Sequence, residues 1–196
     1  MNASSRTPIT LCIDTVRDRL ALGLLVSGGQ VDIVIEPVAR GHAEIIFAAI
    51  EELLARHGLG YAVIERVAAL AGPGSFTGVR LGLSIARGLG LARAIPVLGV
   101  PTLLGLSLSR KGPCDIIVDA KRGQVYRQRF HGPGDPATEV ELIAGETLAP
   151  DADPYPDMER LTRFCADADP QHFPPDPVYV RPADAKPQTR GKVARL

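Results

Sequence analysis

Residues 63–92, VIERVAALAGPGSFTGVRLGLSIARGLGLA, hold a strand, a tight turn and a helix in that order. Val63 to Ala71 is an apolar-rich run of strand length, and Gly72-Pro73-Gly74 ends it. From Thr77 to Ala92 small residues recur every four positions, at Gly78, Gly82, Ala86 and Gly90, while Leu81, Ile85 and Leu89 form a second apolar line. Spacing of this kind is helical. Each interior glycine costs about 1 kcal/mol relative to alanine, so a glycine ridge implies close approach of another helix. That neighbour is either the chain's own first helix or a helix of a partner chain. The partner gains weight because little of the surface is polar apart from Arg80, Ser84 and Arg87.

Upstream of this unit, Ile9 to Asp14, Leu20 to Ser27 and Gln30 to Glu36 are short runs rich in Val, Ile and Leu. The turns Arg17-Asp18-Arg19 and Gly28-Gly29 separate them, which predicts an antiparallel meander. His42 to His57 then places Ile46, Ile50, Leu53 and Leu54 at helical spacing, with Glu51, Glu52 and Arg56 opposite, and Gly58 ends the helix. The order β-β-β-α-β-α predicts a mixed sheet with helices packed on it. Downstream the pattern weakens. Asp115 to Asp119 and Gln124 to Phe130 are strand-like around the turn Lys121-Arg122-Gly123, Val140 to Ala144 is a third candidate strand, and no long helix is expected after it.

The chain has 196 residues, 45 % hydrophobic and 22 % charged, enough for one domain or two small lobes with a real core. Its 22 basic residues balance 22 acidic ones, so no net charge draws it to nucleic acid or membrane. Cys12, Cys114 and Cys165 show no metal-site or paired spacing and read as reduced residues. No apolar leader opens the chain, and Pro96 and Pro101 break its longest charge-free stretch, so a cytoplasmic protein is expected. Eleven of the 17 prolines fall after residue 130, which places an irregular region there. The expected organisation is a disordered segment 1–8, a first lobe 9–105, an abbreviated second lobe 106–180 and a basic tail 181–196.

The glycine-rich turn does not have the spacing of a phosphate loop. A P-loop requires Gly-Lys-Ser or Gly-Lys-Thr after four intervening residues, and position 79 is Val; in a dinucleotide loop the third glycine would come one residue earlier. Ser75 lacks the flanking glycines of a nucleophile elbow, because Pro73 and Thr77 occupy those places. Ser75 or Thr77 is instead expected to cap the helix. The turn after Asp14 and Thr15 contains no glycine to let a phosphate approach the backbone.

Five pieces in order resemble one family. They are Leu11-Cys-Ile-Asp14-Thr15, Arg40-Gly-His42-Ala-Glu44, the run Ala71 to Leu89, Asp119-Ala-Lys-Arg122-Gly-Gln-Val-Tyr126, and Val180-Arg-Pro-Ala-Asp184-Ala-Lys-Pro-Gln188. Together they are similar to the bacterial TsaB family, also called YeaZ, which takes part in making threonylcarbamoyladenosine in tRNA.

The resemblance implies an α/β fold shared by actin, sugar kinases and heat-shock ATPases (the ASKHA fold), with two related lobes and a cleft between them. It implies a non-catalytic scaffold subunit with no cofactor of its own. Its partners would be a TsaD-type catalytic subunit, which carries the metal and nucleotide, a TsaE-type ATPase, and tRNA reached through the complex; alone it could form a homodimer. The partner interface would comprise His42, Ile46, Gly78, Leu81, Gly82, Ile85, Ala86 and Leu89. Asp14, Thr15, Asp119 and Arg122 would face the inter-lobe cleft. In the catalytic relative two histidines four residues apart bind metal; here Ile46 follows His42 at that spacing, so no metal site is expected. The rival is an enzyme of the same fold, either a nucleotide-dependent phosphotransferase or an intracellular peptidase.

Overall fold

In the computed structural model, which describes residues 6–38, 41–145 and 148–180, the first sheet is built around the fully buried strand β1 (Thr10–Asp14). Strands β2 (Arg19–Leu25) and β3 (Val31–Pro37) continue it as the expected antiparallel meander, with Gly28 and Gly29 at positive φ in the second turn. Helix α1 (His42–Ala55) follows, then β4 (Arg66–Gly72), α2 (Phe76–Arg93) and β5 (Val97–Pro101). Both β4 and β5 join in parallel, giving the order β3-β2-β1-β4-β5.

The second lobe is a smaller antiparallel sheet. Strands β6 (Cys114–Lys121) and β7 (Gln124–Gly132) form its hairpin, and the short strands β8 (Asp135–Pro136) and β9 (Glu141–Ala144) both pair with β7. A short helix α3 (Thr102–Ser107) joins the lobes and is buried throughout.

Alternation along the strands assigns the layers. Ile13 on β1 and Ala69 on β4 face α2, whereas Cys12 faces the other side and meets Cys165. Cys165 belongs to α4 (Met158–Asp167), a helix not expected from the sequence, capped by Asp157 through the N–H groups of Glu159 and Arg160. Its single buried stripe, Met158, Leu161, Thr162, Cys165 and Ala166, packs on the first sheet. Gly23 on β2 permits this contact, because a Cβ there would stand 2.0 Å from Thr162 Oγ1. The segment assigned to the second lobe from sequence therefore completes the first. Beyond α4 the chain crosses the first sheet again: Gly99 N–H donates to Phe173 O and Val178 N–H to Ala71 O. Segment 1–5 and tail 181–196 lie outside the described residues.

Candidate functional site: the inter-lobe cleft and the first-lobe helices

The glycine ridge of α2 does not face a helix. Gly82 lies against Thr15 Oγ1, Ala69 and Ile13, Gly78 against the Thr15 backbone, and Gly90 against Val97. The ridge thus seats α2 on the chain's own first sheet. This corrects both alternatives drawn from the periodicity, because small residues admit a strand as readily as a helix. Gly78, Gly82, Ile85, Ala86 and, on α1, Ile46 are buried in the chain's own core and are not a partner surface. Leu81, Leu89 and His42 are half-buried. The apolar side chains that do reach the surface of these helices are Phe47, 50 % exposed, Phe76, 57 %, and Leu91, 87 %. The turn Tyr61–Val63 ties the two helices together: Tyr61 OH donates to Phe47 O and Arg93 to Ala62 O.

Ser75 is the cap expected at the start of α2. Its Oγ accepts the N–H of Gly78 and its own N–H donates to Val16 O. The hydroxyl of Thr15 donates to Gly78 O at 2.7 Å. The glycine-rich turn therefore holds the end of β1 in place.

Between the lobes lies a cavity of about 1200 Å³. Its walls are the β1–β2 turn, the starts of α1 and α2, the β6–β7 turn and the segment 150–155. Asp119 and Arg122 line it, as do Arg17, Asp18, His42 and Tyr155. Asp14 and Thr15 do not. They are 0 % and 1 % exposed and lie buried beneath the cavity, with Gly78 and Gly82 of α2 packed on Thr15.

The charges in and under the cleft are largely paired within the chain. Asp14 Oδ1 accepts the N–H of Val16 at 3.0 Å, and Oδ2 stands 3.7 Å from Arg19 Nη2, an ion pair without a hydrogen bond. Burial raises the Asp14 carboxyl above its ordinary range, with the Val16 N–H and Arg19 opposing. Burial likewise lowers the Arg17 guanidinium. Lys121 holds Asp119 at 2.8 Å and lowers its carboxyl through that hydrogen bond. Tyr155 donates its hydroxyl to Asp18, which lowers Asp18 and raises the phenol, while Arg19 stacks 4.2 Å from the Tyr155 ring centre. The sequence marks Arg17 and Asp18 only as part of a turn and does not point to Tyr155. Tyr155 sits in an acidic, proline-containing stretch with no periodicity to bring it 137 residues back to Asp18.

Along α2, Arg87 pairs with Asp176 at 2.6 Å and Arg80 donates to Tyr179 OH at 3.0 Å. Arg80 also lies 3.7 Å from the centre of the Phe76 ring. The C-terminal strap thus covers part of α2.

Two lobes around a cleft, with a β-β-β-α-β-α first lobe and a reduced second, define an α/β protein of the actin-like ATPase fold class. The family model for TsaD, the tRNA N6-adenosine threonylcarbamoyltransferase, matches residues 22–176. The chain belongs to this family and is a member of its TsaB (YeaZ) group. It is 34 % identical over 121 residues to the tRNA threonylcarbamoyladenosine biosynthesis protein TsaB of Escherichia coli, a match covering 59 % of this chain and 52 % of that protein. The TsaB protein of Haemophilus influenzae is likewise 34 % identical, with 59 % of this chain and 51 % of that protein covered. The chain thus spans about half the length of these curated relatives. A solved structure, an uncharacterized protein with similarity to peptidase YeaZ from Pseudomonas aeruginosa, shares the fold with a TM-score of 0.77 at 22 % identity, covering 89 % of this chain and all of that one.

Proposed function

We propose that this chain acts in the biosynthesis of tRNA threonylcarbamoyladenosine as a scaffold subunit that performs no chemistry itself. It pairs with a TsaD-type catalytic subunit, works with a TsaE-type ATPase and meets tRNA, in those tRNAs that read codons beginning with adenine, through the complex. Cytoplasmic location and the absence of a cofactor of its own belong to the same proposal.

The observation that carries this reading is the exposed apolar surface of α1 and α2, with Phe47, Phe76 and Leu91 at 50 %, 57 % and 87 % exposure. Large apolar side chains on the helices of one lobe suit a protein partner better than a small substrate. Two features support a non-catalytic role. In the turn before α2, Gly74 packs on Val16 and Gly72 against the Val178 carbonyl, and Ile46, at the position where a second histidine would be required, is packed in the core. Alone, the chain uses the same surface for a homodimer, in competition with the catalytic partner.

The test is purification of the tagged chain from its own cells, followed by assays of the chain alone and with whatever co-elutes. A TsaD-type protein should come with it, and the isolated chain should neither hydrolyse ATP nor transfer threonylcarbamoyl to tRNA. Turnover by the isolated chain, or unchanged threonylcarbamoyladenosine in bulk tRNA after depletion, would overturn the proposal.

A further inference from the structure

Cys12 at the centre of β1 and Cys165 near the end of α4 are 153 residues apart in sequence, yet their sulfurs lie 3.9 Å apart, aligned as a thiol hydrogen bond. Both are free thiols, 1 % and 0 % exposed. A disulfide has sulfurs about 2.05 Å apart, so the contacting pair would close by about 1.9 Å to bond. Neither residue serves the cleft or the helical surface described above.

Access depends on α4. While that helix is docked the pair is shielded, and the hydrogen bond with Cys165 together with burial raises the Cys12 thiol well above its ordinary range; the closed state is therefore unreactive. The helix is a ten-residue element, and Arg66 clasps its C-terminal end. Arg66 Nη1 donates to the carbonyls of Cys165, Ala166 and Ala168 at 2.9, 2.8 and 2.7 Å. Releasing this clasp opens the end of α4 that carries Cys165, a local event of the kind that short docked helices undergo.

We propose that Cys12 and Cys165 form a redox-modification site, in which a low-molecular-weight disulfide converts the thiol pair into a disulfide that pins α4 to β1. With α4 lifted, the Cys165 thiol loses its proton to solvent and its sulfur attacks one sulfur of the small disulfide. That bond breaks, and the departing thiolate takes up a proton. As the helix closes, the Cys12 thiol loses its proton and attacks the Cys165 sulfur, forming the protein disulfide and expelling the second small thiolate, which is also protonated. The two protein sulfurs give up two electrons in all, and the small disulfide becomes two thiols. The product ties the helix to a strand two residues before Asp14, beneath the cleft floor.

The experiment uses the full chain carrying Cys114→Ser, or Cys114→Ala should the serine variant fail to fold, because half-buried Cys114 would otherwise form adducts of its own. The protein is incubated with bis(hydroxyethyl) disulfide and followed by intact mass and peptide mapping. The expected product is lighter by two hydrogens, contains the Cys12–Cys165 crosslink, and regains its mass with dithiothreitol. Adding Arg66→Lys should speed the crosslink several-fold, with circular dichroism confirming that the fold is kept. A persistent hydroxyethyl adduct on Cys165 without the crosslink would overturn the proposal. So would an unmodified thiol pair, whether or not hydrogen exchange shows α4 opening over the same period.

Discussion

Gly78 and Thr15 are in backbone contact: a Cβ added at residue 78 would stand 1.9 Å from the Thr15 carbonyl oxygen. No side chain, however small, fits there without moving α2 away from β1. Gly78→Ala should therefore destabilise the protein by about 1–3 kcal/mol, the cost of overpacking a tight core. Gly88, on the same helix, has nothing within 4 Å of its would-be Cβ, so Gly88→Ala should add about 0.8–1 kcal/mol through helix propensity alone. Urea midpoints for the two variants should move in opposite directions; movement in the same direction would refute the assigned orientation of α2.

The partner surface is tested by Phe47→Glu and Leu91→Glu. Both side chains are at least half exposed, so stability should stay within about 0.5 kcal/mol of the parent. If either residue anchors the interface, association with the TsaD-type subunit should weaken by about 2 kcal/mol, roughly thirtyfold in Kd. Calorimetric titration that finds both variants binding as the parent does would remove these helices from the interface.

Asp14 predicts a pH dependence of unusual sign. Its carboxyl, ordinarily near 3.8, is raised in the folded chain by burial. Between 3.8 and the raised value, the unfolded chain has lost this proton while the native chain still holds it. The native state then binds more protons, so this group's contribution to stability falls as pH rises, and the loss is complete above the native value. Asp14→Asn keeps the acceptor for the Val16 N–H and abolishes the titration. Stability of the variant relative to the parent should rise from acid toward neutral pH and then level off. A difference independent of pH would contradict the assigned environment.

Arg66 is tested directly by Arg66→Ala. Three carbonyls at the end of α4 lose their shared charged donor, which should cost about 1.5–3 kcal/mol. Hydrogen exchange should accelerate first in the amides of residues 165–168. Uniform acceleration across both sheets would mean that α4 does not open separately.

Much of the first lobe was legible because period alone carries it. The aliphatic runs of β1 to β4 and the stripe Ile46, Ile50, Leu53 and Leu54 state their burial directly. The ridge Gly78-Gly82-Ala86 was equally visible, but periodicity reports that a helix approaches something closely and not what it approaches. The local pattern gives only the β6–β7 turn, and it is the family resemblance that puts Asp119 and Arg122 at the cleft. Asp14 and Thr15 could not be distinguished as floor rather than lining, since that depends on how closely α2 descends. Helix α4 carries an uninterrupted stripe, but it is only ten residues long, prolines precede it, and Thr162, Cys165 and Ala166 give that stripe little apolar signal. The contact of Tyr155 with Asp18, like that of Cys165 with Cys12, arises from long-range topology that no local pattern encodes.

The return of α4 to the first sheet has a consequence for vectorial synthesis. Strand β1 and its neighbours leave the ribosome early, but the face that carries Cys12 and Gly23 receives its cover only when residues 158–167 emerge. Until then a nascent chain presents an open apolar sheet whose partner has not been translated, a state prone to aggregation. The helix that closes the first lobe is thus made after all the strands β1 to β9, so a ribosome stalled after β9 would release a chain with its earliest-made sheet still uncovered.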